Sequence, residues 1–294
     1  MTSDTHVALD DRPASAAPPH RRRVRRGSPR VRWTLRIIAV VYVLGLVALP
    51  VFTVLRSTFG GGLEPVAEAL SSPEFAAALR LTITVAGCAV IANTLFGVLA
   101  GIIIARYRFP GRGLLNALID LPLAISPIVV GVALILVFGT TGWFGEELAD
   151  LGIQVIFSTP GMVLATIIVS LPLVVREVVP VLEEAGIEQE LAAQSLGAAA
   201  WQRFLRITLP TMKWALAYGV VLSLARSLGE FGAVRVVSGS VSGESQTLTL
   251  LVNDSYQEFG KEAETMAFSA AFVLMAVAVV FIIVIAALRP KAEQ

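Results

Sequence analysis

The chain has 294 residues, of which 55% are hydrophobic and 15% are charged, with a formal net charge of +1. Soluble domains carry about a quarter charged residues, and no single soluble core of this length hides so much apolar surface. With one cysteine, Cys88, an internal disulfide is excluded, and its apolar surroundings give it the reading of a small packing residue.

Residues 1–32 are rich in Pro, Ala, Ser and Arg and contain the run Arg21-Arg22-Arg23-Val24-Arg25-Arg26. That composition predicts a disordered, basic tail. Beside a membrane span, a basic run reads as a topology anchor and an anionic-lipid contact rather than a nucleic-acid site. Apolar segments follow at 36–55, 79–105, 113–138, 160–182, 213–235 and 266–288. Each is long enough to cross a hydrocarbon layer about 30 Å thick as a helix. The expectation is an all-α membrane protein of about six transmembrane helices, with the spanning domain over 35–288.

The loops alternate in charge. One set holds Arg106, Arg108 and Arg112; Arg203, Arg206 and Lys213; and Arg289 and Lys291. The other holds Glu64, Glu68 and Glu74; Glu146, Glu147 and Asp150; and Glu244, Asp254 and Glu258. Because basic loops stay inside, this pattern predicts a multi-pass protein of the cell membrane with both termini cytoplasmic. Residues 143–158 are expected to form a short interfacial helix anchored by Trp143 and Phe144.

The longest inside loop lies between the fourth and fifth segments, at about 183–210. Ala192, Leu196, Ala200 and Phe204 recur every four residues, an apolar helical stripe. Glu183, Glu184, Glu188 and Glu190 precede it, where carboxylates favour a helix N-terminus. Gly197 permits a turn, and Pro210 suits the first turn of the next helix. The pattern predicts helix–turn–helix with an apolar strip. Two readings of that strip stand: a docking surface, or an amphipathic connector packed on the bundle.

Ala192-Ala193, then Gly197, then Ile207 and Leu209-Pro210 have the spacing of the "EAA" loop of binding-protein-dependent ABC importer permeases, and the loop resembles it. In that family a glutamate precedes the two alanines; here Leu191 holds the place and Glu190 lies one position earlier. The resemblance implies that Glu190 takes the glutamate's part after a small rotation. It also implies that Glu190, Ala192, Ala193, Leu196, Gly197, Ile207, Leu209 and Pro210 form the segment that seats on an ATPase subunit. Further on come Ala225-Arg226-Ser227-Leu228-Gly229-Glu230-Phe231-Gly232-Ala233-Val234 and Val236-Val237-Ser238-Gly239. These are similar to the W-type subunit of sulfate/thiosulfate permeases; molybdate permeases share the Gly-Glu-Phe-Gly-Ala core. The Arg176-Glu177 pair ending the fourth segment fits the same group.

The resemblance implies a type I importer architecture and a set of partners. These are a homologous permease subunit, two ATPase subunits, an extracytoplasmic sulfate-binding protein and membrane lipids. It implies no cofactor on this chain, with ATP and Mg held by the ATPase partner. The residues agree. No G-x-x-x-x-G-K-[ST] phosphate loop is present, since Gly260-Lys261 is followed by Glu262. His6 and His20 both lie in the tail, and no Cys/His cluster offers a metal site. No nucleophile–base set suggests catalysis. The competing class, an ion-coupled secondary transporter, would need intramembrane acids for coupling and gives no reason for the 183–210 loop.

A dianion needs polar groups to cross hydrocarbon. The candidates for a pathway or gate are Arg226, Ser227, Glu230, Phe231, Asp120 and Ser126, with Thr82, Thr84, Asn93, Thr94, Thr166, Ser170 and Ser223 as further hydroxyls and amides. Arg226 and Glu230 are four apart and share a helix face, so they can pair. The pair serves either packing or the anion path. Asp120 is a partner for an arginine or a gating group rather than a ligand, because it repels anions. Gly229 and Gly232 around Phe231 predict a close helix crossing or a constriction. Pro122 and Pro127 are expected to kink the third span.

Overall fold

A computed structural model describes residues 29–288. Residues 1–28 of the expected tail, and Arg289 and Lys291, lie outside the described residues. The chain divides into two units, Met1–Pro50 and Val51–Gln294. The described part of the first is helical, and its side chains from Trp33 to Pro50 are all exposed.

In chain order the helices are α1 (Pro29–Phe59), α2 (Glu64–Ser71), α3 (Pro73–Arg106), α4 (Arg112–Ala124), α5 (Pro127–Phe138), α6 (Gly145–Asp150) and α7 (Thr159–Ala185). Then come α8 (Glu188–Ser195), α9 (Ala200–Arg203), a π-helical turn (Phe204–Thr208), α10 (Leu209–Leu228), α11 (Gly232–Val237), α12 (Leu248–Gln257) and α13 (Lys261–Leu288). Among the described residues, five helical runs are long and apolar enough to span a membrane, or six if α4 and α5 count as one bent span.

The second unit is built on α3, α7 and α10. Helix α3 starts where Ser72 Oγ accepts the Phe75 amide at 3.1 Å and Pro73 occupies the first turn. Its small residues meet α7. A Cβ on Gly97 would lie 2.7 Å from Val174 Cγ1, and one on Gly101 would lie 2.9 Å from Val178 Cγ1. Lipid tails are as apolar as these side chains, so close packing rather than water exclusion holds such helices together. Gly97 and Gly101 remove the atoms that would keep α3 and α7 apart. The same valines, Val174 and Val178, join Leu182 and Met212 in one buried cluster, with Phe204 and Leu209 against it. The end of α1 joins α13: Thr58 Oγ1 donates to the Phe268 carbonyl at 3.0 Å, and Phe59 meets Phe272 edge-on at 5.1 Å.

Several expectations are corrected. The third span is not one helix over 113–138 but the pair α4 and α5, bent by 115°. Ile125 and Ser126 are extended, with ψ of 146° and 135°. A residue before proline is driven out of the helical region, so Ser126-Pro127 breaks the helix outright. The fifth span ends at Leu228 rather than 235, and α11 restarts it after Phe231. At its other end, Ala200–Leu228 is one continuous helical run. Pro210 therefore lies inside a run instead of opening it. Its ring crowds the carbonyl four residues back and offers no N–H; the widened turn at Phe204–Thr208 accommodates this. The interfacial helix expected over 143–158 shrinks to Gly145–Asp150, because Gly152 adopts φ +69° and Phe157 φ +60°.

Candidate functional site

Two groups of residues carry chemistry. The first is the loop between α7 and α10. Helix α7 stops at Gly186, with φ +67°, and α8 stops at Gly197, with φ +85°. Both conformations favour glycine, and they fold the segment into the helix–turn–helix its sequence predicts. Glu188 and Glu190 sit in the first turn of α8, whereas Glu183 and Glu184 end α7.

Glu190 holds this loop to the bundle. Its Oε1 lies 3.0 Å from Arg106 Nη2, at the end of α3, and 2.9 Å from Thr208 Oγ1 in the π turn. Arg106 Nη1 also donates to the Leu182 carbonyl on α7. Helix α3 and the π turn thus converge on one carboxylate of α8, whose side chain is 20% exposed, against 9% for that of Arg106. Breaking a pair withdrawn from water in this way costs more than breaking a surface pair, because it leaves an uncompensated charge. Leu191, in the place of the expected glutamate, points outward and is 51% exposed. Beside it Arg112 pairs with Glu183, and Arg203 with Gln194.

The apolar stripe does not stay on one surface. Phe204 packs inward, but Leu196 is 89% exposed, and Leu191, Trp201 and Leu205 are exposed as well. Ala192 is exposed and Ala193 half-buried; Ile207 and Leu209 are half-buried and Pro210 is exposed. The turn at Gly197 rotates α9 relative to α8, which splits the four-residue repeat. What remains outside is an unpartnered apolar patch on a braced helix pair.

The second group lies along the spans. Asn93 Nδ2 donates to Ser170 Oγ at 2.7 Å and to Ser223 Oγ at 3.3 Å, and Ser170 Oγ lies 3.3 Å from Ser227 Oγ. These side chains are buried and tie α3, α7 and α10 together. Thr166 bonds its own helix, as do Thr84 and Thr94. Thr82 Oγ1 receives the Leu248 amide at 2.8 Å. Of the candidate hydroxyls, Thr82, Ser170, Ser223 and Ser227 therefore join helices, a common use of such groups in membranes. Ser126 stands exposed at the break between α4 and α5 and makes no cap bond.

The charged candidates occur as pairs. Arg226 Nη2 is 3.2 Å from Glu230 Oε2. Glu230 is 3% exposed, and its Oε1 accepts the Ala233 amide at 3.0 Å, so it braces the restart of α11 as well. Its carbonyl accepts Thr249 Oγ1 at 2.8 Å. Asp120 on α4 accepts from Arg176 Nε on α7 at 2.8 Å. Phe231 is 36% exposed and lines a hollow of about 460 Å³ with Val252, Tyr256 and Leu274. Of the two glycines beside it, only Gly232 makes a close crossing: a Cβ there would lie 3.1 Å from Pro127 Cβ, whereas at Gly229 the nearest atom is at 3.7 Å.

Sequence reasoning missed two partners. Arg106 registers in the sequence only as a topology charge, and Arg176 only as part of a familiar dipeptide. The available signal is position: Arg106 closes one apolar run, and Arg176 with Glu177 interrupts another. A further tie, Arg235 to Asp254 at 3.0 Å, joins α11 to α12 at the opposite end of the bundle.

Residues 97–294 match the model of the family described as binding-protein-dependent transport system inner membrane component. The chain is 47% identical over 254 residues to a sulfate transport system permease protein CysW of Synechocystis sp., covering 86% of this chain and 91% of that one. It is 44% identical over 192 residues to the sulfate transport system permease protein CysT of Escherichia coli, covering 65% and 69%. The fold is shared with a bacterial alginate ABC transporter crystallised with its alginate-pentasaccharide-bound periplasmic protein: TM-score 0.72 at 18% identity, over 87% of this chain and 92% of that one.

Proposed function

This chain belongs to the binding-protein-dependent transport system inner membrane components, in the group of sulfate transport permeases, and from that premise we propose that it is the permease subunit of an ATP-driven importer carrying sulfate or thiosulfate into the cytoplasm. The chain itself supplies the gated path. ATP and Mg are bound and turned over by two ATPase subunits, and an extracytoplasmic sulfate-binding protein delivers the anion. The second permease is a homologous chain; similarity to both a CysW and a CysT supports such a pair. Both termini face the cytoplasm, as the basic loops argue.

The observation that carries this reading is the braced, apolar loop. Leu196 is 89% exposed on a helix pair that Glu190 ties to α3 and to the π turn leading into α10. A rigid pair of helices with an apolar tip passes a displacement of its partner into the spans, because packed contacts move as bodies. In this mechanism ATP binding closes the ATPase dimer. The loop then shifts and opens the path to the loaded binding protein. An amphipathic connector would instead bury Leu196 against the bundle.

Purification of the chain from membranes tests the assembly. We expect ATPase subunits and a second permease to accompany it. A stable solitary protein that transports the anion by itself would overturn the proposal.

A further inference from the structure

Over their middle turns the central helices α7 and α10 are covered except at one place each. From Gly161 to Val179 every residue of α7 is buried or half-buried apart from Arg176, which is exposed. From Ala215 to Leu228 the same holds on α10 apart from Arg226. Their side chains are 57% and 41% exposed. Both lie in spanning helices, where a guanidinium facing lipid costs at least about 2.5 kcal/mol. Their open side is therefore a wet or protein-lined space.

The two cations stand at different depths. Ser170 and Ser227 meet at 3.3 Å, which sets Arg226 level with Ser170. Arg176 is six residues further along α7, about 9 Å towards the Glu183 end at about 1.5 Å per residue. In each pair the carboxylate is the more withdrawn partner: Asp120 is 29% exposed and Glu230 2%. Asp120 is steadied by Asn116 at 3.5 Å, and Glu230 by the Ala233 amide. Each arginine reaches its carboxylate through one nitrogen, Nε of Arg176 and Nη2 of Arg226. The other N–H groups of the planar fork remain for a ligand, and that fork matches two oxygens of a tetrahedral oxyanion.

We propose, resting on the importer reading above, that Arg176 and Arg226 are two successive holding sites for the tetrahedral dianion, each weakened by its paired carboxylate so that the anion also leaves. Conduction needs sites attractive enough to enter and weak enough to vacate. A bare buried arginine meets the first requirement only. Asp120 and Glu230 meet the second by competing for the same guanidinium. The depth difference makes the transfer a step along the helix axis rather than one deep well.

Labelled sulfate uptake by the complete complex in proteoliposomes tests this, with co-purification of the partner subunits measured for each variant. Arg176→Gln is expected to lower uptake by about tenfold or more while the partners still co-purify, and Arg176→Lys to retain part of it as a point charge. Asp120→Asn is expected to lower both KM and the maximal rate, since the anion is held longer. The double variant R176Q/D120N is expected to stay as low as R176Q. Restoration of uptake by the double variant would show that the pair only packs helices and would overturn the proposal. Loss of the second permease from R176Q would make Arg176 an interface cation, with the same consequence. Failure of the unaltered complex to take up sulfate would sink the importer reading instead, so the two failures are distinct.

Discussion

Glu190 Oε1 lies 3.0 Å from Arg106 Nη2 and joins the first turn of the loop helix α8 to the end of the spanning helix α3. The same oxygen takes Thr208 Oγ1 at 2.9 Å. The loop is thus anchored at its near end while its tip, around Leu196, stays free. Glu190→Ala leaves Arg106 with a buried charge and a lost partner, a penalty of about 1–3 kcal/mol. We expect a lower melting temperature for the detergent-purified complex and weaker coupling of ATP hydrolysis to uptake. Glu190→Gln keeps an acceptor for Arg106 and Thr208 and should recover part of both.

Leu196 gives the opposite pattern. It is 89% exposed and contributes almost nothing to the bundle, so Leu196→Arg should insert and melt like the unaltered chain. Charge on the apolar tip should nevertheless abolish uptake by excluding the ATPase groove. Normal uptake by this variant would remove the docking role of the loop.

Gly97 tests the packing of α3 on α7. A Cβ there would sit 2.7 Å from Val174 Cγ1 and 2.8 Å from Val174 Cβ. Overpacking of this kind costs about 1–3 kcal/mol, so Gly97→Ala should lower thermal stability. Val174→Ala removes the Cγ1 collision but keeps the Cβ, so the double variant should lose less than the sum of the two single losses. Independent additive losses in a double-mutant cycle would contradict the crossing.

Asn93 should behave as a helix tie. Its amide reaches Ser170 and Ser223, and interhelical bonds of this kind contribute about 0.6–1.7 kcal/mol. Asn93→Ala is expected to lower the melting temperature modestly and to leave the apparent KM for sulfate unchanged. A large KM change would move Asn93 into the path.

Much of this arrangement is readable from the chain. Apolar runs and alternating loop charge locate the spans, because hydrocarbon thickness sets their length. Ala192, Gly197 and Pro210 mark the loop by local backbone chemistry. The four-residue spacing points to the pairing of Arg226 with Glu230, although α10 ends at Leu228 and Glu230 reaches back from the break before α11. What escapes is set by tertiary contact. Glu190 turns inward and Leu191 outward because Arg106 waits on α3, far away in sequence, and nothing in the loop announces it. Ser126-Pro127 announces a kink, but the 115° bend needs α11 to be present, with Gly232 packed against Pro127. Asp120 and the Arg176-Glu177 pair are legible as charges in separate apolar runs; the contact of Asp120 with Arg176 depends on how α4 lies on α7.

The most direct measurement is uptake of labelled sulfate by cells lacking their own sulfate permease and carrying this chain with its partner subunits, in competition with molybdate. The account predicts ATP-dependent sulfate accumulation that excess thiosulfate suppresses more strongly than excess molybdate. Accumulation of molybdate in preference to sulfate, or sulfate uptake that persists without the ATPase subunits, would contradict it.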